Sequence, residues 1–323
     1  MGAEVFTLGR VIVDLYAEQL HTPLQQVQTF RKYLGGSAGN MAVGLARLGA
    51  RAGLISRVGA DAFGEFLLSR LRAEGVDTTM VRVDERFPTG LAFAAIFPPH
   101  DSTVLFYRKP CADIKVEIAD LVLDALRQAR MLVLTGTALS ESPSREAALR
   151  AAEEVHGAGG TVVFDLDWRP MFWQSLEEAR VVYRLALRLS DVVLANEPEL
   201  EMAGESRDPS QAAARLRSLG PTVIVAKRGG AGALLFHDEK VLRVPPRPVK
   251  VVNTLGAGDG FGAAFCYGLL QGWPLARCLE FANAAGAIVV SRHSCSEAMP
   301  TREEVEALLR GHEMTTVEEL TNR

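Results

Sequence analysis

An α/β fold with one largely parallel sheet and a small β-rich lid is what this sequence predicts, and three observations carry it. Short β-branched runs alternate with helical patterns along most of the chain, the signature of βαβ units. Glycine and proline punctuate that alternation at helix stops. Two stretches, residues 11–33 and 91–108, break it and read as extended chain rather than α/β units.

The candidate strands are Met131 to Leu134, Thr161 to Phe164, Val192 to Ala195 and Thr222 to Ala226. Each is brief and apolar throughout, as strands covered on both faces must be. Candidate helices are Asn40 to Leu48, Phe63 to Glu74 and Arg145 to His156, stopped by Gly49, Gly75 and Gly157. A further helix follows Gly258, where Phe261, Phe265 and Leu269 recur every four residues before Gly272 and Pro274. Leu91 to Arg108 reads as two extended runs around Pro98-Pro99-His100-Asp101. With residues 11–33 it is read as a lid, the lid segments covering about 11–34 and 88–112 within a single α/β unit of residues 1–310. Residues 311–323 read as a polar C-terminal extension.

At 323 residues with 48% hydrophobic and 23% charged content, the chain can bury a sizeable core. A net charge of -4 argues against a nucleic-acid or anionic-membrane partner. The four cysteines form no C-x-x-C pair, which points away from zinc and disulfides and toward a reducing compartment. Glu4, Arg10 and Asp14 interrupt the N-terminal apolar stretch, and no apolar run approaches the ~18 residues of a membrane span. A cytoplasmic protein is expected.

The strongest chemical feature is Asn253-Thr254-Leu255-Gly256-Ala257-Gly258-Asp259-Gly260-Phe261. Small residues running into a helix let backbone N–H groups approach an anion, and the helix N-terminus adds orphan donors and partial positive charge. Asp259 would repel a phosphate, so beside one its better role is to accept a proton from an attacking hydroxyl. Taken alone, the Gly-x-Gly-Asp turn fits a helix cap equally well.

Three weaker clusters accompany it. Gly35-Gly36-Ser37-Ala38-Gly39-Asn40 could bring backbone and the Asn40 amide to a polyhydroxyl ligand, or be an ordinary turn and N-cap. Asn196-Glu197-Pro198-Glu199 stands at the carboxyl end of a strand, where open α/β sheets bind ligands. Asn196 and Glu199 could hold Mg²⁺ partly through water, or start a solvated helix. Lys227-Arg228-Gly229-Gly230-Ala231-Gly232 offers cationic and flexible groups to a nucleotide, with Lys227, Gly229 and Gly232 as contacts, or forms a turn between strands. Neither a Walker A sequence nor an opening G-x-G-x-x-G is present.

Together these pieces resemble the ribokinase-like, or PfkB, carbohydrate kinase family across nearly the whole chain. The family's early Gly-Gly and Asn signature is similar to Gly35 to Asn40, and its Val-Gly-x-Asp-x-x-Gly stretch to Val58 to Gly64. Its Asn-x-x-Glu is similar to Asn196 to Glu199, and its Gly-Ala-Gly-Asp signature to Gly256, Ala257, Gly258 and Asp259. The resemblance implies a doubly wound, mostly parallel sheet with helices on both faces and a small β-sheet lid. It also implies ATP near the Gly256 loop, Asp259 as catalytic base, Asp14 gripping sugar hydroxyls, and adenine near Asn283 to Ala287. Lid-mediated homodimers occur among such kinases.

Phe164 to Trp173, Leu105 to Arg108 and Ser291 to Thr301 resemble a branch of the family acting on sugar acids. That implies substrate contacts from Tyr107, Arg108 and Arg169. A guanidinium fork suits a carboxylate. Arg108 could instead form a lid-edge salt bridge, and Arg169 could pair with Asp165 or Asp167. Asn253 stands where many family members have Asp, which leaves a monovalent cation near the loop open, and Gly260 replaces the usual Ala.

Overall fold

The computed structural model describes residues 2–99, 102–310 and 318–321; of the lid turn, His100 and Asp101 lie outside the described residues, as do 311–317 and 322–323 of the tail. The strands are β1 (Val5–Leu8), β2 (Ile12–Ala17), β3 (Phe30–Gly35), β4 (Ala52–Gly59), β5 (Val81–Asp84), β6 (Leu91–Ala95) and β7 (Thr103–Tyr107). They continue with β8 (Met131–Thr135), β9 (Thr161–Asp165), β10 (Val192–Asn196), β11 (Val223–Lys227), β12 (Ala233–His237), β13 (Lys240–Val244) and β14 (Glu318–Thr321). The helices are α1 (Ser37–Leu48), α2 (Ala62–Ala73), α3 (Leu123–Gln128), α4 (Ser144–Gly157) and α5 (Leu176–Leu187). After these come α6 (Glu197–Gly204), α7 (Pro209–Arg217), α8 (Ala257–Leu270), α9 (Leu275–Val290) and α10 (Arg302–Arg310).

Ten strands form the large sheet in the order β14-β13-β12-β11-β10-β9-β8-β1-β4-β5. Pairing is parallel from β11 through β5, and antiparallel where β12, β13 and β14 extend the other edge. Residues 318–321 of the tail thus add an edge strand beside β13.

Period-two alternation explains how helices cover both faces. Val162, Phe164, Val193, Ala195, Ile224 and Ala226 join Ala147, Ala151, Tyr183 and Leu216 of α4, α5 and α7 in one buried cluster. Val163, Val192, Leu194, Val223 and Val225 join Leu45, Phe265 and Phe281 of α1, α8 and α9 in another. Where α1 crosses α8, a Cβ on Gly44 would sit 2.7 Å from that of Ala263, so small residues are what let these helices approach. No helix among the described residues is long and apolar enough to cross a membrane.

The order reverses at β1, whose neighbours are β8 on one side and β4 on the other. Such a switch point opens a crevice at the carboxyl ends of the strands. Above it lies the second sheet, β3-β2-β6-β7, in which only β2 and β6 run parallel. Asp61, from the Val58 to Gly64 motif, caps α2 by accepting from Phe63 N and Gly64 N. It also accepts from Thr89 N and Oγ1, which ties α2 to the chain entering β6.

Candidate active site

Four parallel strands end on polar residues at the crevice: Thr135, Asp165, Asn196 and Lys227 close β8, β9, β10 and β11. The loop before α8 meets this row. Gly256, its N-cap, has φ 81°, and a Cβ there would lie 2.6 Å from Cys295 Cβ, so only glycine makes this entry. Ala257, Gly258 and Asp259 form the first turn of α8, whose N–H groups lack helical partners by construction.

Asp259 accepts a 2.7 Å hydrogen bond from Asn40 Nδ2. Burial pushes its carboxyl up to about 7, helped by the negative charges of Asp167 and Asp165 and opposed by Asn40 and Lys227. A carboxyl with that affinity is suited to take a proton near neutral pH. Asn40 reaches it because α1 starts at Ser37, three residues before the start read from sequence, its N-cap Gly36 standing at φ 89°.

Lys227 Nζ lies 2.9 Å from Asp165 Oδ2 and 3.5 Å from where a Cβ on Gly258 would stand, placing a cation beside the loop. Burial works against this ammonium, but Asp165 and Glu199 outweigh it and hold its pKa above the ordinary lysine value. Gly229 and Gly232 belong to the turn joining β11 to antiparallel β12, so this segment is a strand connection bordering the crevice.

Asn196 and Glu199 form a capping box at the start of α6: Glu199 N donates to Asn196 Oδ1 and Asn196 N donates to Glu199 Oε2, both at 2.8 Å. Trp168 N donates to Glu199 Oε1 at 3.2 Å. Burial raises the Glu199 carboxyl to about 7 against the pull of Lys227. Each oxygen keeps a lone pair, so this hard donor set fits Mg²⁺ held through water. Among the described residues, no group of three or more His, Cys, Asp or Glu side chains could enclose an ion by itself.

Asp14 rises from β2 of the lid. Its Oδ2 accepts from Tyr16 Oη at 3.3 Å and Cys295 Sγ at 3.2 Å, and burial raises its carboxyl to about 6. Gly35 on β3 packs against its side chain, where a Cβ would come within 2.0 Å of Asp14 Cγ. Ser296 Oγ donates to Leu34 O at 2.7 Å, so the segment around Cys295 stitches the lid strands to the Gly256 loop.

The two arginines expected at a carboxylate diverge. Arg108 is buried, held to Asp113 through Nε at 2.7 Å and to Thr137 O at 3.2 Å, with its guanidinium 4.6 Å from the Phe172 ring centre. The ion-pair alternative is the one the geometry realises, because a dry guanidinium takes the nearest carboxylate. Tyr107 is 62% exposed on the lid edge, its ring against Phe93. Arg169 keeps a 44% exposed side chain beside the crevice, with Nε 3.2 Å from Asp167 Oδ1. Asn283 of α9 donates to Pro245 O at 2.8 Å, pinning the chain that follows β13.

Two residues to which sequence reasoning assigned no site role, Arg10 and Asp167, sit at the centre, and Asp167 is also one of the structural pairs that it offered for Arg169. Asp167, at φ 30°, accepts from Ser37 Oγ at 2.6 Å and Thr137 Oγ1 at 3.0 Å, and also faces Arg10 and Arg169. Burial opposes its ionisation, yet Arg10 and Arg169 hold its carboxyl below the usual range. The sequence signal for Arg10 is a charge that interrupts the N-terminal apolar stretch.

A helix start with a carboxylate in its first turn, a carboxylate on the small sheet and a cationic strand end meet on an α/β scaffold whose geometry suits a phosphoryl-transfer enzyme. The chain belongs to the pfkB family of carbohydrate kinases, which it matches over residues 3–302. Among curated relatives, 5-dehydro-2-deoxygluconokinase of Geobacillus kaustophilus is 40% identical over 315 residues, 96% of this chain and 94% of that protein. The 5-dehydro-2-deoxygluconokinase of Clostridium tetani is 38% identical over 314 residues, covering 95% and 93%. Among solved structures, an E. coli protein described as a ribokinase II, in complex with ATP and Mg²⁺, superposes with a TM-score of 0.90. It is 29% identical, and the match covers 96% of this chain and all of that one.

Proposed function

We propose that this carbohydrate kinase transfers the γ-phosphoryl group of ATP to the terminal hydroxyl of 5-dehydro-2-deoxy-D-gluconate, a cytoplasmic step of inositol catabolism. The observation that carries the phosphoryl-transfer reading is Asp259, held by Asn40 in the first turn of α8 with a carboxyl near 7. Asp259 takes the hydroxyl proton as the oxygen attacks phosphorus in line, and the first-turn N–H groups of α8 stabilise the charge on the transferring group. Lys227 adds its charge from the end of β11. Mg²⁺, held through water by Asn196 and Glu199, would supply charge neutralisation at the phosphates. Asp14 orients substrate hydroxyls from the lid, and lid closure keeps water from competing.

The names of the two relatives and the exposed guanidinium of Arg169 at the crevice support a sugar acid as acceptor. A coupled ADP-release assay over a panel of sugar acids, fructose, ribose and adenosine tests the proposal. Turnover of 5-dehydro-2-deoxygluconate should exceed the rest of the panel. A preference for 2-dehydro-3-deoxygluconate would replace the substrate, and a preference for a neutral sugar would refute the sugar-acid reading.

A further inference from the structure

Arg10 follows β1 at the switch point, and its side chain is 6% exposed. One nitrogen, Nη2, lies 3.4 Å from Asp167 Oδ2, and the guanidinium carbon lies 5.3 Å from the ring centre of Phe106 on β7 of the lid. Nε and Nη1 are buried and have no hydrogen-bond partner. Such a state is expensive, because a guanidinium only donates and each dry, unpaired donor costs free energy.

Arg247, on the chain after β13 rather than at the switch point, also leaves its Nε unpaired, but its Nη2 meets Glu280 at 3.2 Å. Two further buried arginines have their partners. Arg57 meets Asp84, Asp120 and Glu117, and Arg108 meets Asp113 and a backbone carbonyl. Asp14 feels the charge of Arg10, but no hydrogen bond from Nε or Nη1 reaches it, and its Oδ2 accepts from Tyr16 and Cys295. The two unpaired donors therefore stand where the lid meets the crevice.

The number of open donors points the same way. Arg10 shares Asp167 with Arg169 and its charge also acts on Asp14, so what remains unmet is hydrogen bonding at Nε and Nη1. A ligand hydroxyl would bring one acceptor atom, whereas a carboxylate brings two in the spacing of a guanidinium fork.

We propose that Arg10 is the residue that recognises the substrate's carboxylate, with Arg169 beside it across Asp167, in the role that Arg108 would need to be free to fill. This rests on the sugar-acid reading above. Asp167 acts as the positioning residue, ion-paired with both arginines and accepting from Ser37 and Thr137, so that neither guanidinium swings toward Asp259.

The test compares two acceptors: the sugar acid that the wild-type enzyme prefers, and its C1-alcohol counterpart with the same carbon skeleton and ketone. In Arg10→Met, kcat/KM for the acid should fall about 30-fold or more, mostly through KM, while the alcohol changes by less than about three-fold. Arg10→Lys, which keeps the charge but not the fork, should lose about five- to ten-fold on the acid alone, and it carries the test should the Met variant not fold. Equal losses on both acceptors would mean that Arg10 reads the ketone or only holds the fold, and would overturn the proposal. An unchanged acid preference would overturn it too. The sugar-acid reading fails separately, in the wild type, if no sugar acid is phosphorylated; if a different sugar acid is best, the Arg10 comparison runs on that acid and is decided on its own.

Discussion

Replacing Asp259 by Asn should make this protein more stable and almost inactive, and the two effects come from the same burial. Burial and the neighbouring Asp167 raise the carboxyl from 3.8 to about 7, a rise equivalent to roughly 4 kcal/mol against the ionised form. Asp259 is only partly shielded in the crevice, and water reaching it reduces the usable figure to about 2 kcal/mol. The sign follows from the raised value. Below pH 3.8 the group is protonated folded or unfolded and costs nothing; the cost grows as pH rises, and is complete above about 7. Asp259→Asn removes that cost while leaving an oxygen to accept from Asn40. Thermal unfolding without nucleotide should therefore show the variant ahead by roughly 3 °C at pH 8 and by clearly less at pH 5. In the coupled ADP assay, kcat should drop about 10²- to 10⁴-fold, the usual worth of a positioned general base. Near-normal turnover in the folded variant, or a stability gain that does not grow between pH 5 and pH 8, would refute the reasoning.

The remaining expectations follow from neighbouring residues. The wild-type kcat/KM should climb with pH and level off above about 7, as Asp259 loses its proton; a flat profile from pH 5 to 8 at saturating Mg²⁺ would remove the base. Arg169→Ala should cost about one to two decades of kcat/KM on sugar acids and little on neutral sugars. Arg108→Met should instead lower stability by about 3–5 kcal/mol in urea unfolding, because it strands buried Asp113. Lys227→Met leaves Asp165 and Glu199 without their cation, so its unfolding midpoint should fall sharply even with nucleotide absent. Asn196→Ala should lose about 1 kcal/mol of stability with its cap and shift the Mg²⁺ titration to higher concentration; an unshifted titration would exclude the metal role.

Why some of this was legible and some not comes down to where each strand was judged to end. The apolar runs Met131 to Leu134, Thr161 to Phe164 and Val192 to Ala195 gave the strands their place, because a strand buried on both faces must be apolar on both. Yet β8, β9, β10 and β11 each continue to one further residue, Thr135, Asp165, Asn196 and Lys227, and hydropathy ends a strand at the last apolar side chain. The site begins where that signal stops. Asp259 and Asn40 were legible because the glycines around them are a local requirement of the backbone, written in consecutive residues. Asp167 was not, since its importance lies in partners more than a hundred residues apart: Ser37 at one remove, Arg10 at another, brought together only by the reversal of strand order at β1. Arg108 shows the converse. A sequence can place a guanidinium on the lid, but whether that charge reaches a ligand depends on Asp113 five residues away, and at 2.7 Å the nearer carboxylate wins. What would separate a substrate contact from a structural pair is thus the count of acceptors already within reach, which leaves two donors of Arg10 unpaired and engages Arg108 with Asp113 and Thr137.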